Sequence, residues 1–224
     1  MRTTTIILTL MLAALLLLSS CKISGSLVAN TDNCLDLEGT AKDDCYFEAR
    51  TCSKIASETV RDSCVVELAK AKKDLAVCDL IKADNTKAYC QEQLAIINND
   101  HDICLDLTDD YWKNNCHYNL ATKNNKDVYC TLINEITQRE QCFKDIAYAT
   151  NNPILCEYLG SEKAEYCVYK IAIQTKSVDL CQQLESAVNR DGCRSKVAKE
   201  SKDEKICDLI GITFIKEKCH ESFK

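Results

Sequence analysis

The apolar residues of this chain recur with a period of about 26 positions from Cys52 onward. Each period opens on a cysteine, carries an isoleucine or leucine three positions later, and has a second cysteine 11 or 12 positions after the first. An apolar residue followed by alanine then stands four and five positions after the second cysteine in most periods. Offsets of three and four positions are typical of one face of a helix. The residues are Ile55, Ile81, Leu107, Ile133, Leu159, Leu184 and Ile210, and the pairs Leu68-Ala69, Leu94-Ala95, Leu120-Ala121, Ile146-Ala147, Ile171-Ala172 and Val197-Ala198.

Polar residues divide each period into two predicted helices. Four positions before the first cysteine, most periods carry a residue whose side-chain oxygen can cap a helix N-terminus. Pro153 follows such a residue at the first helical position, where proline costs no hydrogen bond, and Gly160 and Gly211 suit a helix C-terminus. We predict a first helix of about two turns and a second of about three. The predicted caps are Asp74, Asp100, Asn152, Ser177 and Asp203, and the second helix is predicted to begin near Asp84, Ser161 or Ser186.

Charged pairs recur in the second predicted helix. A basic residue stands three positions before the second cysteine in most periods, and an acidic residue often follows it. A ligand-binding stripe is one interpretation, but charges at helical spacing more often lie on a solvated face or brace a helical hairpin. We favour the second interpretation. The basic residues are Arg61, Lys87, Lys113, Arg139, Arg190 and Lys216.

The spacing of the cysteines predicts which of them form disulfides. Pairing across the shorter step leaves no cysteine from Cys34 onward unpaired, whereas pairing across the longer step leaves Cys34 and Cys219 over. The shorter step stays at 11 or 12 positions, while the other shrinks to seven between Cys45 and Cys52. The two shortened loops contain Gly39 and Gly160, which permit a tighter turn. The predicted pairs are Cys34 with Cys45, Cys52 with Cys64, Cys78 with Cys90, Cys104 with Cys116, Cys130 with Cys142, Cys156 with Cys167, Cys181 with Cys193, and Cys207 with Cys219.

These patterns predict an all-α fold, a right-handed solenoid of disulfide-braced helix-turn-helix repeats over residues 34–224. Residues 34–51 form a predicted N-terminal capping unit and residues 52–224 seven repeats. Each disulfide closes a loop of roughly 13 residues and contributes about 3 kcal/mol in the chain-entropy model, which helps helices too short to be stable alone. The architecture is similar to Sel1-like and cysteine-rich repeat proteins, although no Sel1 signature matches residue by residue. The resemblance implies a protein-interaction scaffold in the cell envelope.

The N-terminus indicates export. Residues 6–18 form an apolar run behind Arg2, with one polar residue; this is typical of a signal peptide and too short for a membrane span. The four residues Leu18, Ser19, Ser20 and Cys21 at its end resemble the lipobox of prokaryotic lipoproteins, in which the cysteine thiol carries a diacylglyceryl group. The resemblance implies a signal peptide at 1–20 and a lipidated Cys21 with a tether over 21–33. The other 16 cysteines are an even set, as expected of disulfides in an oxidising compartment.

Composition and motifs argue against several kinds of chemistry. The formal net charge of −6 disfavours nucleic acid. No two cysteines lie closer than seven positions and the three histidines are scattered, so we expect no metal site. Nucleophile, zinc-protease, C-x-x-C and phosphate-loop motifs are absent from the mature sequence, so we expect neither a cofactor nor an enzyme.

One period differs from the others by its aromatic residues. Tyr111, Trp112, His117 and Tyr118 cluster in the segment DDYWKNNCHYN, where other periods carry mostly polar residues. Aromatic side chains dominate binding hot spots, so this cluster is a candidate partner-binding site. Local packing between helices is the alternative, and both interpretations remain open.

The combined prediction is a membrane-anchored extracytoplasmic lipoprotein that acts as a protein-binding repeat scaffold. Its partner would be an envelope or extracellular protein, and its contact with the membrane would be the lipid anchor. A purely structural spacer is one alternative. Another is a hydrolase of envelope polymers, for which the candidate carboxylates are Asp106, Asp109 and Asp110 because they lie close to the aromatic residues.

Overall fold

A computed structural model describes residues 31–224, and within this range the chain contains helices and no strand. The predicted signal peptide at 1–20, Cys21 and the first part of the predicted tether lie outside the described residues. The end of the predicted tether is helical, because a 3₁₀ helix occupies Thr31–Cys34. An all-helical fold is therefore confirmed for the described part of the chain.

Short and long helices alternate along the chain. The short helices are η1 (Thr31–Cys34), η2 (Cys52–Lys54), η3 (Leu75–Leu80), α4 (Asp102–Asp106), η4 (Asp127–Leu132), η5 (Pro153–Tyr158), α8 (Val178–Gln182) and η6 (Glu204–Leu209). The longer helices are α1 (Gly39–Glu48), α2 (Glu58–Lys72), α3 (Asp84–Asn98), α5 (Asp110–Asn124), α6 (Ile136–Thr150), α7 (Ser161–Thr175), α9 (Ala187–Ser201) and α10 (Thr213–Glu221). Helices α2, α3, α5, α6, α7 and α9 have 15 residues each, about four turns, which is one turn more than predicted.

The predicted caps are present at the short helices. Asp74, Asn152, Ser177 and Asp203 each accept a hydrogen bond from a backbone N–H in the first turn. Asp100 makes the same contact, accepting from the N–H of Asp102 at 3.1 Å. Because these bonds satisfy N–H groups that the helix leaves unpaired, they fix where each short helix begins.

Each 15-residue helix ends on a residue in the left-handed conformation. Its φ lies between 52° and 56° in all six cases, and it stands nine positions after the second cysteine of the repeat. The residues are Lys73, Asn99, Asn125, Asn151, Lys176 and Lys202. This backbone geometry closes the helix and turns the chain into the next repeat. Gly160 does not adopt the left-handed conformation, because its φ is −58°. It is the N-cap of α7 rather than, as was predicted, the C-terminus of a helix.

Eight disulfides join the short helix of a repeat to the long helix that follows, within residues 31–224. They are the pairs that the cysteine spacing predicts, and their Cα–Cα distances run from 5.5 to 5.8 Å. Antiparallel packing of the two helices brings the cysteines to the distance that a disulfide requires.

The basic residues of the charged pairs brace their own hairpins. Arg139 donates from Nη1 to the carbonyl oxygen of Ile133 at 3.1 Å, and the equivalent Arg190 donates to Leu184 at 2.8 Å. These carbonyls lie at the ends of short helices, where no intrahelical donor reaches them. The bracing interpretation is therefore correct for these residues.

The residue two positions before the second cysteine links its repeat to the next. The carboxylate of Glu165 accepts from the N–H of Ser186 at 3.0 Å, and Asn114 accepts from the N–H of Asn134 at 2.9 Å. Each bond runs from the middle of a long helix to the loop before the following long helix. These contacts set how neighbouring long helices are placed.

The chain divides into two units, with described residues 31–64 in the first and 65–224 in the second. In the second unit each long helix packs beside the next, in the order α3, α5, α6, α7 and α9, as expected of a solenoid. The predicted apolar positions form its core: Leu120, Ile146 and Ile171 are at most 1% exposed. No helix within the described residues is long and apolar enough to span a membrane.

Candidate functional site

The long helices of the second unit present a surface on which aromatic side chains gather. We call it the long-helix face, and three grooves lie along it within residues 65–224. Helices α3, α5 and α6 form the first groove, α6 and α7 the middle groove, and α7 and α9 the third. Their volumes are about 670, 460 and 420 Å³. Each groove therefore depends on the lateral packing of successive repeats.

The first groove contains three of the four aromatic residues predicted from the sequence. The rings of Tyr111 and Trp112 meet edge to face at 5.2 Å, and Tyr89 from the preceding repeat meets Trp112 at 6.0 Å. Two-thirds of the Tyr111 side chain is exposed. The arrangement leaves aromatic surface accessible, which is the feature that binding hot spots share.

Tyr118 is held rigidly in the wall of this groove. Its hydroxyl donates to Asp145 at 2.5 Å, and Gln141 donates to the other oxygen of the same carboxylate at 2.7 Å. Burial, together with the carboxylate of Asp145, raises the pKa of Tyr118 to about 12, so the phenol stays protonated at neutral pH. A fixed ring with its hydroxyl already paired offers a flat apolar surface to a ligand.

Polar side chains pair with one another beneath the aromatic residues. Asn119 donates to the buried carboxylate of Glu92 at 2.7 Å, and Gln138 donates to Asn115 at 2.7 Å. Burial raises the pKa of Glu92 above its ordinary value. Because these bonds join neighbouring long helices, they hold the groove in shape without a ligand.

His117 does not belong to this surface, and its assignment to a partner-binding cluster was wrong. The side chain is 1% exposed, and it occupies the position of the buried Phe143 in the next repeat, one residue after the second cysteine. Successive residues on a helix point about 100° apart, so His117 and Tyr118 face in different directions. Its Nδ1 has no hydrogen-bond partner within the described residues. Burial, with smaller contributions from His101 and Lys113, lowers the pKa of His117 to about 4.

The middle groove is the one with basic walls. Lys144, Lys163 and Lys170 line it together with Tyr148 and Tyr166. Lys163 pairs with Glu140 at 2.6 Å. Within residues 31–224, Lys144 and Lys170 form no ion pair. Lys170 lies over the ring of Tyr166, 5.4 Å from its centroid.

The third groove, like the first, is lined by acidic residues. Tyr166 and Tyr169 stack at 6.2 Å between centroids, and Glu162 and Glu165 line the same groove. Glu165 also accepts from the side chain of Asn189 at 3.0 Å. The tyrosines thus continue the aromatic surface into the C-terminal half of the second unit.

A further groove of about 600 Å³ lies between η5, α7 and α8, and it borders the third groove because Glu162 and Glu165 line both. Pro153, Ile154 and Val168 contribute apolar surface, four glutamates line it as well, and no aromatic residue does so. It therefore provides a comparison surface for experiments on the long-helix face.

The three carboxylates considered for hydrolysis are exposed. Asp109 caps α5 by accepting from the N–H of Trp112 at 3.1 Å, and Asp110 is the first residue of that helix. Asp106 ends α4. Within residues 31–224, no group of three histidine, cysteine, aspartate or glutamate side chains is arranged to hold a metal ion.

Sequence reasoning missed Tyr89, Tyr148, Tyr166 and Tyr169, which lie in other repeats. An alignment of the repeats would have provided a signal, because Tyr89 and Tyr166 both precede the second cysteine directly. Tyr118 and Tyr169 both stand two positions after it.

No family model, curated protein or solved structure matches the chain significantly.

Proposed function

We propose that this chain is an extracytoplasmic lipoprotein that binds another envelope or extracellular protein through its long-helix face. The observation that carries the proposal is the row of three grooves, lined by Tyr89, Tyr111, Trp112, Tyr118, Tyr148, Tyr166 and Tyr169. Tyrosine and tryptophan supply large contact areas at a low cost in side-chain entropy, and neighbouring amides supply hydrogen bonds. This is the composition of a surface that recognises proteins.

The disulfides support the proposed location. Eight disulfides within the described residues are expected only where thiols are oxidised, which favours an extracytoplasmic setting. The lipobox-like residues 18–21 follow an apolar run at the N-terminus, and acyl chains on Cys21 would hold the repeats at a membrane surface.

The architecture supports a scaffold. Helical hairpins stacked side by side produce an extended surface whose grooves recur once per repeat. Sel1-like proteins are similar at this level, although the repeat here is shorter, about 26 residues. A partner would contact several repeats at once.

Site-specific photocrosslinking in intact cells tests the proposal. A photoreactive amino acid at Tyr111, which is exposed in the first groove, is expected to capture one discrete protein. The double variant Tyr89→Ala, Trp112→Ala should lose that adduct, whereas Ile154→Ala, which changes a residue that lines none of the three grooves, should retain it. Since Tyr89 and Trp112 are partly exposed, both variants are expected to fold, and unchanged thermal denaturation would verify this.

Absence of any adduct from Tyr111, Tyr166 and Tyr169 would contradict the proposal and favour a structural spacer. Release of soluble fragments from a cell-wall polymer by the purified chain, abolished by substitution of Asp109 and Asp110, would favour the hydrolase. An adduct that Ile154→Ala removes would move the site to the groove between η5, α7 and α8.

A further inference from the structure

The three grooves of the long-helix face alternate in charge. Glu135 is the exposed carboxylate of the first groove, beneath which Glu92 is buried, and Glu162 and Glu165 line the third groove. The middle groove has three lysines and Glu140. A locally basic groove thus lies between two acidic ones, on a chain whose net charge is −6.

The lysines of the middle groove are available to a ligand. Lys163 is neutralised by Glu140, but Lys144 and Lys170 pair with no carboxylate within residues 31–224. Lys144 is partly exposed and Lys170 is exposed. Two unpaired ammonium groups beside the rings of Tyr148 and Tyr166 attract an anionic group that also has an apolar stem.

The alternation restricts the chemistry of the ligand. Nucleic acids and anionic envelope polymers carry charge of one sign along their length, so a polymer that suits the middle groove is repelled by its two neighbours. A polypeptide carries both signs in any order. A peptide complementary to the three grooves therefore carries a basic, an acidic and a basic residue in that order.

The spacing of the grooves restricts the ligand further. Neighbouring helices pack roughly 8–10 Å apart, and an extended chain advances about 3.3 Å per residue. One helix step therefore corresponds to about three residues of extended peptide.

We propose that the long-helix face binds an extended peptide segment of the partner, with an aspartate or glutamate over Lys144 and Lys170 and a lysine or arginine about three residues to either side. The inference rests on the function proposed above. The acidic residue contacts the middle groove, and the flanking basic residues contact the exposed carboxylates of Glu135 in the first groove and Glu162 in the third. The rings of Tyr118 and Tyr166 cover the apolar parts of the segment.

Selection from a library of displayed random peptides tests this inference on the full oxidised chain. The wild type is expected to enrich peptides with the order basic, acidic, basic at spacings of about three residues. The double variant Lys144→Glu, Lys170→Glu should bind those peptides at least tenfold more weakly. Replacing the central acidic residue by lysine should restore binding to this variant and weaken binding to the wild type.

Matched controls separate local charge from net charge. The variant Lys196→Glu, Lys199→Glu makes the same change in net charge at two exposed positions of α9 that line none of the grooves, and it should bind like the wild type. Enriched peptides without a charge pattern would overturn the inference, and so would equal binding by the two charge-reversed variants or enrichment of no peptide. A photocrosslinked partner that persists in the Lys144→Glu, Lys170→Glu variant would overturn it too, while leaving the proposed function in place.

Discussion

The carboxylate of Asp191 accepts a hydrogen bond from the backbone N–H of Ile212 at 2.8 Å. Asp191 lies in the middle of α9, and Ile212 precedes α10, so the bond joins two consecutive repeats. The same carboxylate accepts from the N–H of Gly211 at 2.9 Å and pairs with Arg194 at 3.0 Å. Asp191 is 4% exposed, so the carboxylate itself is largely shielded from water.

Replacing Asp191 by alanine is expected to loosen the C-terminal repeat. Two backbone N–H groups lose their acceptor and Arg194 loses its partner, which should lower the free energy of unfolding of this region by about 3 kcal/mol. Native-state hydrogen exchange of the amides in α10 measures the change. Asp203→Ala, which removes one helix cap, should cost only about 1 kcal/mol. Equal protection of α10 in the wild type and Asp191→Ala would contradict this prediction.

His117 is expected to make stability depend on pH. Its pKa is about 4 in the folded chain and ordinarily 6.5, so the unfolded chain binds more protons between these values. The contribution of the neutral side chain is therefore complete above about pH 6.5 and is lost as the pH falls toward 4, by about 3 kcal/mol in total. Denaturant unfolding of the wild type and His117→Phe at several pH values measures this loss of stability.

Phenylalanine is the matched replacement because Phe143 fills the equivalent buried position of the next repeat. The variant should fold and should lose less stability than the wild type between pH 6.5 and 4. If the two proteins lose stability in parallel, His117 is not the group that titrates.

Lys176 ends α7 with a φ of 55°, a conformation that disfavours residues with a side chain. Lys176→Gly should relieve the steric cost and raise the stability by about 0.5–1 kcal/mol, even though glycine also increases the entropy of the unfolded chain. Lys199→Gly, inside α9, should lower it by about 1 kcal/mol. Thermal denaturation compares the two variants, and a loss of stability in both would show that the left-handed geometry is not decisive.

The proposed lipid anchor predicts where the protein partitions. The wild type is expected to enter the detergent phase, and Cys21→Ser to remain uncleaved or enter the aqueous phase, because the acyl chains supply the membrane affinity. Denatured but unreduced mature protein should show no free thiol, since the proposal places a diacylglyceryl group on the thiol of Cys21 and the other cysteines are paired. Wild-type protein in the aqueous phase with a titratable Cys21 would contradict the proposal.

Periodicity was enough to predict the repeat and its disulfides because each cysteine marks a fixed position on a helix. The identities of Ile133 and Ala147, for example, repeat along with their burial. Helix length was underestimated by a turn, since the residues after the alanine differ between repeats and share no apolar position. Lysine, as at Lys176 and Lys202, gives no local signal for a positive φ, whereas the asparagines at the equivalent positions 99, 125 and 151 do and were overlooked.

The candidate site was only partly predictable. Tyr111, Trp112 and Tyr118 are close in sequence, but Tyr89 joins them only because α3 packs beside α5. His117 was wrongly assigned to the site because it is close in sequence to Tyr111 and Trp112, but its side chain lies in the interior. A surface formed between repeats depends on how neighbouring helices pack side by side. The sequence of a single repeat does not specify that packing.

Every disulfide of residues 31–224 joins two cysteines that are neighbours in the order of the chain, and none crosses another. In a polypeptide that crosses a membrane N-terminus first, Cys34 meets Cys45 before Cys52 emerges, and the same holds for each later pair. Pairing each cysteine with the next one to emerge therefore gives the disulfides of the folded chain, provided that Cys21, which emerges before Cys34, carries lipid as proposed. In the proposed export, oxidative folding would then require an oxidant for the thiols but no isomerase to rearrange the disulfides.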